Sequence, residues 1–164
     1  MDPDCYVYPG NGFVPSQDTW INKNQPGQSY GSDVQLHIRP VNTVDRRALI
    51  QFDLTSIPAG STILSAVLYV NDETGENYTV LIYPITGAWN ESVTWDTAPT
   101  FDPTEIGSFN LTQNPCVRAA WLDTAQVSAW VNDPSVNFGV LLYASGNSGQ
   151  DLITSREGAL PAKL

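Results

Sequence analysis

The 164-residue sequence predicts an all-β protein, a jelly-roll β-sandwich with one short helix. Three observations carry this. About nine or ten short segments alternate apolar and polar residues with a period of two, spaced near-regularly along the chain. Twelve glycines and twelve prolines are spread over its length, as a fold with many turns requires. A single stretch, 123–131, has helical spacing.

The central pair of strands lies in residues 46–70, RRALIQFDLTSIPAGSTILSAVLYV. Ala48, Ile50, Phe52 and Leu54 alternate with Arg47, Leu49, Gln51 and Asp53. Both faces carry apolar residues, which places the strand inside a sandwich. Residues 56–61 stop it, because Pro58 cannot donate to a ladder and Gly60 tolerates a positive φ. Ala66, Leu68 and Val70 then share one side of a strand over 63–70. Phe52 and Leu68, with Val80 and Leu142 from later strands, are the expected core.

Ahead of this pair, 6–8 reads as a short strand closed by Pro9-Gly10-Asn11-Gly12. Residues 18–22 form the next strand, and 23–33 a polar loop. In 34–39, Val34, Leu36 and Ile38 alternate with Gln35, His37 and Arg39, and 40–45 turns into the central pair. After it, 71–77 (NDETGEN) is a hairpin loop and 78–85 a strand rich in β-branched and aromatic residues. Residues 87–99, GAWNESVTWDTAP, differ in texture, and Trp89 and Trp95 read as core or core-edge. A short strand is expected over 106–111. In 123–131, Asp123 caps, Gln126 completes a capping box, and Val127, Trp130 and Val131 recur at i, i+3, i+4. Residues 138–144 are a strongly apolar strand, 145–150 a Gly/Ser/Asn loop and 151–155 a last partial strand. No internal repeat or linker interrupts the chain, so 1–164 is read as one domain.

Composition narrows the function. The net charge of −10 argues against nucleic-acid binding, which needs a basic footprint. No run of 18 apolar residues is present, so no membrane insertion is expected. The one histidine, His37, sits between Leu36 and Ile38, and there is no G-x-S-x-G, so a nucleophilic triad is not expected. A zinc site is equally unsupported by one histidine and two distant cysteines. Paired carboxylates for a hydrolase or lyase have no favoured spacing, and the protein is read as no enzyme. Cys5 and Cys116 fit a disulfide in an extracellular protein, with two buried thiols as the alternative.

The basic residues are uneven. Lys23, Arg39, Arg46, Arg47 and His37 fall in one early segment, beside Asp33, Asp45 and Asp53. Ion pairing with those acids is one reading. The other is a local anion site on a negative body. Trp20 and Tyr30 lie beside this segment and combine flat aromatic faces with polar neighbours, as sugar rings need. Trp20, Tyr30, His37, Arg39 and Arg46 are therefore the candidate carbohydrate-binding residues.

The motifs RRALIQFDLTSIPAGSTILSAVLYV, WNESVTWDTAP, WLDTAQVSAWV, FGVLL and SRE…P-x-x-L, in this order, resemble the DNRLRE domain, a family also described as a carbohydrate-binding module and related to the archaeal disaggregatase repeat. The resemblance covers about 18–164. It implies a jelly roll, secreted or at the cell surface, that binds polysaccharide; some members bind acidic polysaccharides such as alginate. Asp18 and Asp123 open secondary elements at positions matching the family, and are the expected ligands of a structural calcium. Their other reading is a turn acceptor and a helix cap. The family pattern continues past Pro-x-x-Leu into a closing strand that this sequence lacks, which predicts an open edge. The segment 5–8 would fill it, either within the chain or in a neighbour. The second case would make a homo-polymer by strand exchange, the structural subunit of a filament or surface layer, as the alternative to a glycan-binding module.

Overall fold

The computed structural model describes residues 2–40, 44–146 and 149–164. The strands are β1 (Pro15–Asn22), β2 (Gln35–Ile38), β3 (Arg46–Phe52), β4 (Val67–Asn71), β5 (Thr79–Pro84), β6 (Gly107–Asn110), β7 (Val117–Trp121), β8 (Val140–Ser145) and β9 (Asp151–Thr154). One helix, α1 (Thr124–Asn132), lies between β7 and β8. The expected 40–45 turn and 145–150 loop lie partly outside the described residues.

Two sheets face each other. One has the order β1-β3-β8-β5-β6. The other is built from the pairs β2-β9 and β4-β7, joined where Asp72 bridges Ile153 and the Glu73 N–H donates to the Leu152 carbonyl at 2.9 Å. Its order is thus β2-β9-β4-β7. Set beside β3-β8-β5-β6, this is the eight-strand double Greek key of a jelly roll, with β1 added at the β3 edge. The expected fold class is the observed one.

β3 shows why the chain takes this form. Ala48, Ile50 and Phe52 point between the sheets, and Leu49 points to the opposite face, all fully or almost fully buried. The ladder to β8 sets Ala48 opposite Leu142 and Leu49 opposite Leu141, so both faces meet apolar partners. Phe52, Leu68, Val80 and Leu142 all belong to the core between the sheets. A second, smaller cluster of Ile21, Leu49, Ile85, Val93 and Leu141 covers the outer face. Trp89 and Trp95 from the 87–99 segment pack on it, the core-edge position expected. Gly139 enters β8 at φ +83°, where a Cβ would strike the Ile50 carbonyl oxygen.

Several elements differ from expectation. The 63–70 strand is shorter: pairing begins only at Val67. β7, with sequence VRAAW, is not among the expected strands, because the charge of Arg118 interrupts its apolar pattern. Arg118 is in fact fully buried and bonded to Asp72. The 6–8 strand reduces to one bridge, Tyr6 to Val117, beside the disulfide that joins Cys5 to Cys116. Tyr6 thus sits on β7, while Tyr8 reaches the tail: its hydroxyl donates to the Pro161 carbonyl at 2.7 Å, and Lys163 Nζ lies 4.7 Å from its ring centre. The backbone of the tail pairs with other residues. Lys163 and Tyr69 exchange two backbone bonds of 2.9 and 2.8 Å, and Leu164 and Phe13 exchange two of 3.0 and 2.8 Å. At these two points the tail is hydrogen-bonded within its own chain.

Candidate functional site

The early aromatic and basic residues do converge. Trp20 on β1, His37 on β2 and Arg46 on β3 meet where the two sheets come together at one end. The reason is connectivity: Arg39 and Arg46 bridge, joining β2 to β3, while Trp20 pairs with Ala48 in the β1–β3 ladder. Tyr30 comes from the loop between β1 and β2.

These side chains form a stack. The Tyr30 ring lies 3.7 Å from the Trp20 ring centre at an angle of 21°, and the His37 ring 4.1 Å away at 18°. Two nearly parallel rings so close can only occupy opposite faces of the indole. Trp20 is 4% exposed, and its Nε1–H donates to Asp33 at 3.0 Å. It is therefore a pillar inside the stack, and the expectation that it stacks on a ligand is corrected: no face is left. Tyr30, His37, Arg39 and Arg46 stay half-buried at the surface.

Arg46 is the distinctive group. Its guanidinium carbon lies 5.3 Å from the Trp20 ring centre, its Nη1 lies 3.2 Å from His37 Nδ1, and it donates to the Gln150 side chain. Its Nε is buried without a hydrogen-bond partner. Among the described residues it forms no ion pair, whereas its neighbour Arg47 is paired with Asp45 at 2.7 Å. Burial and the nearby Arg39 charge pull the Arg46 pKa down. Burial and the Arg46 charge likewise hold His37 below its ordinary value, which favours the neutral imidazole at pH 7. Of the two readings of the basic segment, ion pairing describes Arg47 and leaves Arg46 uncompensated.

The two expected metal ligands separate. Asp123 is an exposed helix cap whose side chain accepts from the Ala125 N–H at 2.9 Å. Asp18 lies elsewhere, on β1, 1% exposed. It meets Glu91 of the 87–99 segment and Glu157 of the tail, with one ligand atom from each within 4.8 Å of the others. Asp18 Oδ2 accepts from the Arg156 N–H at 2.8 Å, while Oδ1 is buried with no partner. Burial, with Glu157 and Glu91 adding to it, pushes the Asp18 pKa up to about 7.

One exposed indole lies outside the expected site residues. Trp121, at the end of β7, is 58% exposed. The Tyr6 ring meets it edge-on with centres 5.6 Å apart, and Asp4, Ser108 and Asn110 help to line a cleft beside it. The signal was present, an indole closing a strand, but without β7 its direction could not be read.

The chain has no significant match among curated proteins. The family model of carbohydrate-binding module family 96 matches residues 10–164, which takes in nearly all of the sandwich and both the stack and the acidic cluster. This agrees with the carbohydrate-binding character that the sequence motifs implied. On that match, the chain belongs to carbohydrate-binding module family 96.

Proposed function

We propose that this protein is a non-catalytic glycan-binding module of the cell exterior or cell surface, and that its ligand lies across Tyr30, His37, Arg39 and Arg46. The single observation that carries the location is Arg46: a half-buried guanidinium with an unpartnered Nε and no ion pair among the described residues. No acid among the described residues balances this charge, and the accessible part of the half-buried guanidinium would take ligand oxygens as charge-assisted acceptors. Tyr30, backed by Trp20, offers a preorganised aromatic face for the C–H side of a sugar ring. Trp20 then acts as a positioning residue. The net charge of −10 opposes a dense polyanion, so the ligand is a neutral or sparsely charged polysaccharide. The likeness of the motifs to the DNRLRE domain and the disulfide both favour an extracellular setting.

Affinity electrophoresis over a panel of polysaccharides tests this. The wild type is retarded by at least one neutral or weakly acidic polymer, and Arg39→Ala/Arg46→Ala abolishes the retardation. Retention by that double variant, with loss in Trp121→Ala, would move the site to the cleft beside β7. Tight binding of alginate by the double variant would also remove the Arg site.

The filament subunit is the second reading. The segment that would be exchanged is already held to its own β7 by the Tyr6 bridge and the disulfide, which favours single-chain closure. Light scattering at high concentration discriminates: a strictly monomeric protein excludes the filament.

A further inference from the structure

The cluster around Asp18 needs a cation that its own neighbours do not fully supply. Asp18, Glu91 and Glu157 bring three carboxylates from three distant parts of the chain into one group. One guanidinium answers them. Arg156 pairs through Nε with Glu157 at 2.9 Å and, at a longer 3.4 Å, through Nη1 with Glu91. With all three acids ionised, the group keeps a net charge of −2. Asp18 Oδ1 receives nothing, although Asp18 is 1% exposed. A buried carboxylate oxygen without a protein donor calls for a proton, a water or a metal.

We propose that Asp18, Glu91 and Glu157 form a calcium site that ties the C-terminal tail to β1. The donor set consists of carboxylate oxygens alone, with no nitrogen or sulfur, which suits a hard cation and not zinc. The ligands differ in freedom: Asp18 is fixed, Glu91 half-buried and Glu157 exposed. Calcium accepts such irregular sets with six to eight oxygens, water included, while magnesium demands near-ideal octahedral geometry. The Arg156 side chain is 37% exposed; calcium would replace it between Glu91 and Glu157, and its departure would also release the bond that Nη1 donates to the Ser16 carbonyl. The Arg156 backbone N–H would keep its bond to Asp18 Oδ2. Removal of a competing guanidinium is the signature that separates this site from a merely acidic surface.

The test is calcium titration of the full chain, stripped with EDTA, by calorimetry and by thermal melting at pH 7.5. One saturable site is expected, with a Tm that rises with calcium concentration, as binding to the folded state alone requires. Glu91→Gln and Glu157→Gln, both at accessible positions, should each weaken calcium at least about tenfold, the effect of roughly 1.4 kcal/mol of lost interaction. Asp18→Asn should abolish binding; should that variant not fold, the two glutamate variants carry the test. Arg156→Gln should tighten calcium. The proposal is overturned by the absence of heat and of any Tm shift at millimolar calcium, by binding that both glutamate variants leave unchanged, or by weaker binding in Arg156→Gln.

Discussion

Arg118→Met should be among the most damaging substitutions in this protein. Arg118 is 0% exposed. Its Nε and Nη2 donate to Asp72 Oδ2 at 3.1 and 3.0 Å, Nη2 also reaches the Asn114 carbonyl at 2.6 Å and the Thr112 hydroxyl at 3.0 Å, and Nη1 reaches the Asp4 carbonyl at 3.3 Å. One side chain thus holds β7, the loop before it and the N-terminal segment to the start of the β4–β5 turn. Methionine keeps the apolar stem but leaves Asp72 buried, with Oδ1 bonded to the Thr74 and Gly75 N–H groups and Oδ2 without either Arg donor. Breaking a buried ion pair from one side costs about 3–5 kcal/mol. For a domain of this size that corresponds to a fall of roughly 6–20 °C in Tm. Thermal melting followed by circular dichroism measures it. Arg118→Met/Asp72→Asn should lose less than the sum of its two single variants, since each single variant strands the other partner. A Tm within about 2 °C of wild type for Arg118→Met would refute the reasoning.

Three further outcomes are expected. Burial and the adjacent Asp72 push the Asp151 pKa up to about 8, and Asp18 stands at about 7; the folded state therefore binds more protons than the unfolded one between about pH 4 and pH 8. Calcium-free stability should then fall as pH rises through this window, and Asp151→Asn should flatten the slope; a stability that rises with pH would contradict it. Phe52→Ala opens a hole in the core between the sheets and should cost about 3–5 kcal/mol in urea unfolding, whereas an unchanged midpoint would mean the β3 phase is wrong. The intact mass under non-reducing conditions should lie two hydrogens below that of the reduced chain. Cys5→Ser/Cys116→Ser should lose about 2–5 kcal/mol, and alkylation of both thiols in the native protein would rule out the bridge.

Local pattern was enough for the fold class. Alternation in 46–54 set Ile50 and Phe52 on one face and Leu49 on the other, and Pro58 with Gly60 located the turn, because side-chain direction in a strand follows from neighbours one and two residues away. The same holds for α1, whose cap and apolar spacing lie within a few residues. What only the tertiary structure decided depends on contacts between distant segments. Arg118 reads as a surface charge until Asp72, 46 residues earlier in the chain, is placed beside it, so β7 was invisible and Trp121 with it. Trp20 looked available for stacking until Tyr30 and His37 closed over its two faces. Asp18 and Asp123 were equivalent by sequence, each an acid at the start of an element. Folding left Asp123 a cap at the surface and buried Asp18 against Glu91 and Glu157, because burial and charge at a point are sums over every segment that packs there, and no local window of sequence contains that sum.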